Sequence, residues 1–385
     1  MPAYLGQLET WRDAVASIRE IIITNILLLG KIPAPTFGEQ ARIEFLLERM
    51  AELGVDECSV DRNGNAVGII RGCRPELTPI FVVAHVDTFL ETTVDHFYSV
   101  DTRVIKGAGV SDNTAAVGVL VSLPEIFKRL KLQFDSDLVL VGAVECLGKG
   151  NLKGIRKLLK AWPGAIRAGL CLESVTLGRL NYYSNGMIRG EIHCSTSQET
   201  DRTNLCHTNA ILVLNEIINQ MLEIGLPQKP RTRIIIGKIA GGFNHGQTAC
   251  EAGLGFEIQS DDDAMVRAVY SQVVDIVQGV RHEHQVELYL QRISNLNATS
   301  LRYNHPLVKA ATRIMEKLQI RPLYTPSESA FSIFIGRKIP AITLGLSRGD
   351  NMHQADATVE IEPIFTGIAH IIGTLAAMDQ GVCDE

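Results

Sequence analysis

Two residue types that bind metals stand two apart at His85-Val86-Asp87, directly after the apolar run Pro79-Ile80-Phe81-Val82-Val83-Ala84. Residues two apart on a strand project to the same side, so imidazole and carboxylate can touch. A carboxylate behind a ligating imidazole fixes its tautomer and raises its basicity. An H-x-D triplet alone also serves ordinary packing, and the pattern gains meaning from four segments downstream. Gly107-Ala108-Gly109-Val110-Ser111-Asp112 is a glycine-rich turn leading into a helical pattern. The run Val139 to Val144 ends at Glu145-Cys146, Gly169 to Leu172 ends at Glu173, and His353 comes after the run Ala341 to Leu346. Each group lies where a strand should end, which is where ligand sites collect in open α/β sheets. Nitrogen and oxygen donors of this kind suit a divalent metal such as Zn.

The elements that must carry these groups alternate. Helical patterns open the chain near residues 6 to 29 and 37 to 53. Strands are expected at 66–71, 79–84, 99–105, 137–144, 169–172 and 177–183, with helices at 113–130 and 151–159, a rhythm that predicts an α/β sheet with helices on both faces. From Gly186 the order changes to β-α-β-β-α-β over about a hundred residues, the split βαβ arrangement that folds as its own layer. After Asn295 the α/β rhythm resumes, with helices near 306–318 and 363–378 around the strand 341–346. The expected organisation is a catalytic α/β domain from residues 1–185 and 296–385, interrupted by an inserted α+β domain at 186–295.

Composition limits the partners. The 385 residues exceed what one core usually serves, and 46% hydrophobic with 21% charged residues is ordinary for a globular protein. A net charge of -6 without a Lys/Arg stripe argues against nucleic acid. The start lacks a signal-peptide pattern, and the apolar stretch Ile21 to Leu29 is too short to span a bilayer, so no membrane partner is expected. The eight cysteines contain no C-x-x-C pair, which suggests free thiols in a reducing cytoplasm.

As a set, HVDT from His85, GAGVSDN from Gly107, Glu145, LES containing Glu173, the inserted domain, and PAITLG with His353 after it resemble the metallopeptidase family M20 over nearly the whole chain. The resemblance implies a two-zinc α/β domain with an inserted lid, acting on short peptides or N-acyl amino acids, with Co or Mn able to replace Zn. It implies that His85, a bridging Asp112 and Glu173 hold one ion. Asp112, the residue after Glu145, and His353 would hold the other. Glu145 would be the general base towards a water activated at the metals, and Asp87 the carboxylate behind His85.

The chain departs from that family where two adjacent glutamates are usual, showing Val144-Glu145-Cys146. Either Glu145 is the base and Cys146 takes the ligand position as a thiolate, or Glu145 is the ligand and Val144 replaces the base; an equal alternative for Cys146 is a buried packing residue. In the inserted domain, Ser195 to Thr200 carries no His where the family's Gly-Gly-His stands, which removes support for the usual lid-mediated homodimer. His193 and His207 nearby suit packing or surface, Gln259 stands where Arg is common, and Thr114 replaces a Lys. Arg348 is a candidate for a substrate carboxylate, and Asn244 and His245 for substrate contact. Arg281-His282-Glu283-His284 reads as a solvated turn. The alternative to a hydrolase is a degenerate member, with one metal or none, that serves as a binding protein.

Overall fold

The computed structural model describes residues 2–196 and 208–384. The chain divides into two compact units, Met1–Tyr183 with Ser300–Glu385, and Ser184–Thr299.

The first unit runs α1 (Leu8–Ala16), α2 (Arg19–Gly30), α3 (Gln40–Glu52), β1 (Glu57–Val60), β2 (Ala66–Ile70), β3 (Ile80–His85), β4 (Ser99–Val100), β5 (Val104–Lys106), α4 (Ala115–Leu130), β6 (Leu138–Ala143), α5 (Lys153–Ala161), β7 (Ala168–Val175), β8 (Leu180–Asn181) and β9 (Tyr183–Ser184). The second contributes β10 (Gly186–Ser195), α6 (Ala210–Leu222), β11 (Thr232–Gly241), β12 (Glu251–Ser260), α7 (Asp263–His284) and β13 (Glu287–Leu296). The chain returns through β14 (Thr299–Ser300), α8 (Pro306–Lys317), α9 (Phe331–Ile335), β15 (Ala341–Ser347), β16 (Thr358–Glu360) and α10 (Ile361–Ala377).

The main sheet has the order β1-β2-β6-β3-β7-β15-β8. Its centre is parallel, through β6/β3, β3/β7 and β7/β15, and its margins are antiparallel. Strands buried on both faces read as continuous apolar runs, as β3 and β6 do. Ile80, Val82 and Ala84 face the large core shared with α1, α2, α4, α8 and α10. Phe81, on the opposite side, packs edge-on against Trp162 and Phe334 at 4.8 and 5.9 Å. Helices therefore cover both faces, as the α/β expectation required.

The helix segment Ile361–Val382 is long and apolar enough, by length and composition, to cross a membrane, but 78% of its apolar window is buried inside the protein. It packs so closely on β15 that a Cβ at Gly367 would lie 2.0 Å from the Leu346 carbonyl oxygen. On the same helix His370 is fully buried, and burial pushes its imidazole down to about 4. The unfolded chain, with an ordinary imidazole near 6.5, then takes up a proton that the folded chain refuses. This site's contribution to stability is complete above about pH 6.5 and falls as pH drops towards 4, by about 3 kcal/mol. We expect His370→Leu to flatten that part of the stability curve, measured by urea unfolding at pH 6.5 and 4.5; equal slopes in parent and variant would contradict the assignment.

The second unit is an antiparallel sheet, β11-β12-β10-β13. Its core joins Val213, Leu214 and Ile217 of α6 and Val266, Val269 and Val273 of α7 to Ile192, Leu254 and Phe256 of the strands.

Several local expectations fail for identifiable reasons. The helix expected over 6–29 breaks at Ser17, whose hydroxyl donates to the Ala14 carbonyl and closes the first piece. The strand expected over 99–105 splits because the Asp101 carboxylate accepts from the backbone N–H of Arg103 and Val104, making a side-chain-closed turn. The expected strand 177–183 becomes β8 and β9. Arg281-His282-Glu283-His284 is the last turn of α7 rather than a loop; Gln285 ends that helix in a left-handed conformation (φ 50°) without the usual glycine. Of the cysteines, 58, 73, 146, 171, 194 and 383 are free thiols, whereas Cys250 is disulfide-bonded, which corrects the all-thiol expectation.

Candidate metal centre

β3 delivers His85 as its last residue, and the chain turns so that Asp87 comes back beneath the ring. His85 Nδ1 lies 3.4 Å from Asp87 Oδ1 and 3.1 Å from the Asp87 carbonyl oxygen. That leaves Nε2 facing away from Asp87, 3.3 Å from Asp112 Oδ1 and 3.8 Å from Glu173 Oε2. The ligand atoms of His85, Asp112 and Glu173 all lie within 4.8 Å of one another. His353 joins from the other side of Asp112, with Nδ1 2.9 Å from Oδ2. One carboxylate thus stands between two imidazoles.

Asp112 is held in a tight buried turn before α4. That turn starts at Gly109, whose φ of +71° is left-handed and whose Cβ would lie 2.9 Å from the Thr88 side chain, so no other residue fits there without strain. Asn113 clamps the turn to β7 on both sides of Glu173: its Nδ2 donates to the Leu172 carbonyl at 2.9 Å, and its Oδ1 accepts the Ser174 N–H at 2.7 Å. Glu173 lies within β7, two residues before the strand ends, rather than just beyond it.

Sequence reading missed the supports behind these groups. Thr36, Glu39 and Arg42, from the loop before α3 and its first turns, reach three separate segments of the site. The Thr36 hydroxyl donates to Asp87 Oδ2 at 2.9 Å, Glu39 Oε1 accepts the Glu145 N–H at 2.8 Å, and Arg42 donates to the Val86 carbonyl at 3.0 Å and to Thr114 Oγ1 at 3.4 Å. Two of the four partners are backbone atoms and the other two, the Asp87 and Thr114 side chains, are distant in sequence, so nothing in residue spacing announces them. Asp87 Oδ2 also accepts the N–H groups of Cys146 and Leu147 at 2.9 and 2.8 Å. The carboxylate behind His85 thereby fixes the loop after β6.

That loop decides what becomes of Glu145 and Cys146. With its N–H held by Asp87, Cys146 turns its thiol to the Val144 carbonyl at 3.5 Å. Burial first, then the charges of Asp87 and Glu39, push this thiol well above its usual range. Its sulfur is not among the donor atoms that converge with His85. The Cys146 thiol thus lies outside the group of donors that converges on His85, in the position of a buried packing residue. Glu145 has a left-handed backbone (φ 51°) and its carboxylate is ion-paired with Lys153. We expect Cys146→Ser to keep the parent's metal content, since a hydroxyl can also donate to Val144; loss of one equivalent in elemental analysis would restore Cys146 as a ligand.

The electrostatics call for a cation. Burial opposes charge on His85, but Asp112 and Asp87 outweigh it and hold the imidazole well above its usual range. Burial likewise raises Glu173. For Asp112 burial works upward, and the two flanking imidazoles overcome it and hold the carboxylate low. His353 is raised by its hydrogen bond to Asp112. Carboxylates this close and this buried repel each other unless a positive charge lies between them. The donor set of imidazole and carboxylate fits a divalent ion held by His85, Asp112 and Glu173, with His353 and Asp112 as a second, two-donor position.

The other candidates have these surroundings within their own units. Arg348 points towards Glu360 at 4.0 Å and lines a cleft with Arg12 and Arg321, away from His85, because its strand neighbour is β16 rather than the loop that carries His353. Asn244 and His245 belong to an exposed loop of the second unit, where Asn244 Oδ1 accepts the His245 N–H. His193 is half exposed beside Glu191, and Gln259 is buried, accepting from Arg233. Ser197 to Thr200 and His207 lie outside the described residues. A second group of donors, Glu216, Glu283 and His284, joins α6 to the end of α7, with His284 Nε2 2.7 Å from Glu216 Oε2.

No family model matches the sequence. The uncharacterised protein YgeY of Escherichia coli (strain K12) is 28% identical over 120 residues, which are 30% of this chain and 29% of that protein, so the match spans under a third of the curated relative. Solved structures match over almost the full length. The dipeptidase Dug1p of Saccharomyces cerevisiae superposes with a TM-score of 0.82 at 13% identity, covering 97% of this chain and 98% of that one. Human carnosine dipeptidase 1 gives 0.77 at 12% identity, with 98% and 99% covered. The YXEP protein of Bacillus subtilis, a dinuclear metal-binding peptidase from the M20 family, gives 0.62 at 14% identity, with 94% and 98% covered. The fold is that of the two-unit α/β metallopeptidases. In particular it is the fold of the M20 peptidases.

Proposed function

We propose that this chain is a metal-dependent hydrolase that cleaves an amide bond in a short peptide or an N-acyl amino acid. The observation that carries this reading is the convergence of His85, Asp112 and Glu173, with His353 on the far oxygen of Asp112. The peptidase activities of the structural neighbours support it. A divalent ion, for which Zn fits the donor set best and Co or Mn are substitutes, supplies polarisation of the scissile carbonyl and a more acidic water when bound. The rest is done by the chain. Asp87 orients His85 through Nδ1, Asn113 fixes Glu173, and Asp112 ties the two imidazoles together. Glu145 takes the proton from the attacking water and returns it to the leaving amine. Its carboxylate, borne on a strained backbone and carried by the loop that Asp87 and Glu39 fix, is the only acid in that loop.

A non-catalytic reading, with one ion and a binding role, is favoured by one observation: Cys146 withholds its sulfur, leaving the second position with Asp112 and His353 only. Elemental analysis of the purified chain, joined to hydrolysis of a mixed panel of dipeptides and acyl amino acids, separates the two. Bound metal with turnover supports the hydrolase; bound metal without turnover on any member supports the binding protein. The six free thiols among the described residues support placing the chain in the cytoplasm, and the disulfide at Cys250 counts against it.

A further inference from the structure

Two exposed aromatic rings and one cation lie beside residues of the candidate site. Phe37 is 59% exposed and holds a left-handed backbone, φ +75°. A bulky aromatic residue rarely adopts that conformation, and such strain persists where the surrounding structure imposes it. Phe89 is 52% exposed and meets the ring of His353 edge-on, with centroids 5.0 Å apart. Lys153, from the first turn of α5, is half exposed; its ammonium pairs with Glu145 and stands 5.8 Å from the centre of the Phe37 ring. Two apolar rings and one cation, all in the first unit, thus border Glu145 and His353.

We propose that these three residues determine specificity: Lys153 reads the free carboxylate of the leaving residue, and Phe37 and Phe89 hold an apolar side chain. This assignment rests on the hydrolase reading for its chemical meaning. Glu145 must reach the leaving nitrogen to return a proton, and in a peptide or acyl amino acid the α-carboxylate sits on the carbon bonded to that nitrogen. A cation beside Glu145 is therefore beside the carboxylate. An ammonium has three donors, so Lys153 can keep Glu145 and donate to a second carboxylate at the same time. Burying the two rings against an apolar side chain recovers the hydrophobic free energy that their exposure forgoes.

The test uses the full chain with glycyl-L-phenylalanine and glycyl-L-phenylalaninamide. Binding is measured by calorimetry on metal-free protein, and glycine release on protein loaded with Zn. A charge-assisted contact predicts that the acid binds about tenfold or more tightly than the amide. In Lys153→Met, which keeps the aliphatic stem over Phe37, that ratio should fall towards one. Phe89→Ala should weaken glycyl-phenylalanine several-fold more than glycyl-glycine. Equal binding of acid and amide by the parent, or an unchanged ratio in Lys153→Met, overturns the assignment. If the acid preference holds and no glycine is released, the hydrolase reading fails while the recognition site stands; glycine release without acid preference gives the reverse.

Discussion

Glu145→Gln should lower amide hydrolysis by about 10² to 10⁴, the range for loss of a general base, while the metal content stays at the parent level. The amide keeps the shape of the side chain and the backbone N–H that Glu39 accepts, so the loop after β6 keeps its course. What disappears is the capacity to take a proton. Metal should be retained because Glu145 is not among the converging donor atoms of His85, Asp112 and Glu173. Elemental analysis and initial rates on the same preparation decide the matter. Full activity in the variant would remove Glu145 from the chemistry, and loss of metal would make it a ligand.

Arg42→Met should be the most damaging change to stability, costing on the order of 3–5 kcal/mol. The guanidinium is completely buried and donates to the carbonyls of Ile32 and Val86 and to the Thr114 hydroxyl. Burial draws its pKa down while Tyr98 and Asp87 support its charge, so removing it also takes away one of the positive charges that the buried Asp87 carboxylate faces. Methionine restores volume but no donor. Both tryptophans, Trp11 and Trp162, lie in the first unit, so their fluorescence during urea unfolding reports on that unit alone. A change below about 1 kcal/mol, the value of an ordinary exposed pair, would show that water replaces the guanidinium at little cost. Because Val86 and Thr114 flank His85 and Asp112, the variant should also bind metal more weakly.

His85, Glu173 and His353 were legible because each stands at or after an apolar run of the main sheet, whose parallel strands bring their ends to one edge, and Asp112 was legible from the glycine-rich turn before it. Glu39, Arg42 and Asn113 could not, since they serve the site largely through backbone atoms of other segments, which leave no mark on residue identity; nor could Thr36, whose partner, the Asp87 carboxylate, is 51 positions away in the chain. Arg348 misled for the complementary reason: closeness in sequence to His353 says nothing about direction once the chain turns after β15. Cys146 shows the limit of motif spacing. Its position fits a ligand, yet two N–H groups donating to one carboxylate orient the loop so that the sulfur meets the Val144 carbonyl. In the fold, the order of strands and helices was readable from apolar periodicity, whereas the breaks at Ser17 and Asp101 depended on single side chains closing turns. Only Asp101, a turn-forming residue inside a strand pattern, offered a warning.

The position of β15 governs the order in which this protein can be completed as it leaves the ribosome. That strand belongs between β7 and β8, and α10 covers it, yet both are translated after the whole of the second unit. Residues 184–299 can close their own core as soon as they emerge, whereas β7 waits with one edge unpaired and the apolar face meant for α10 uncovered. An open strand edge beside an apolar surface invites association with other chains. Nascent chains stalled before residue 341 should therefore hold a finished insert within an unfinished host, and depend on chaperones until β15 and α10 arrive.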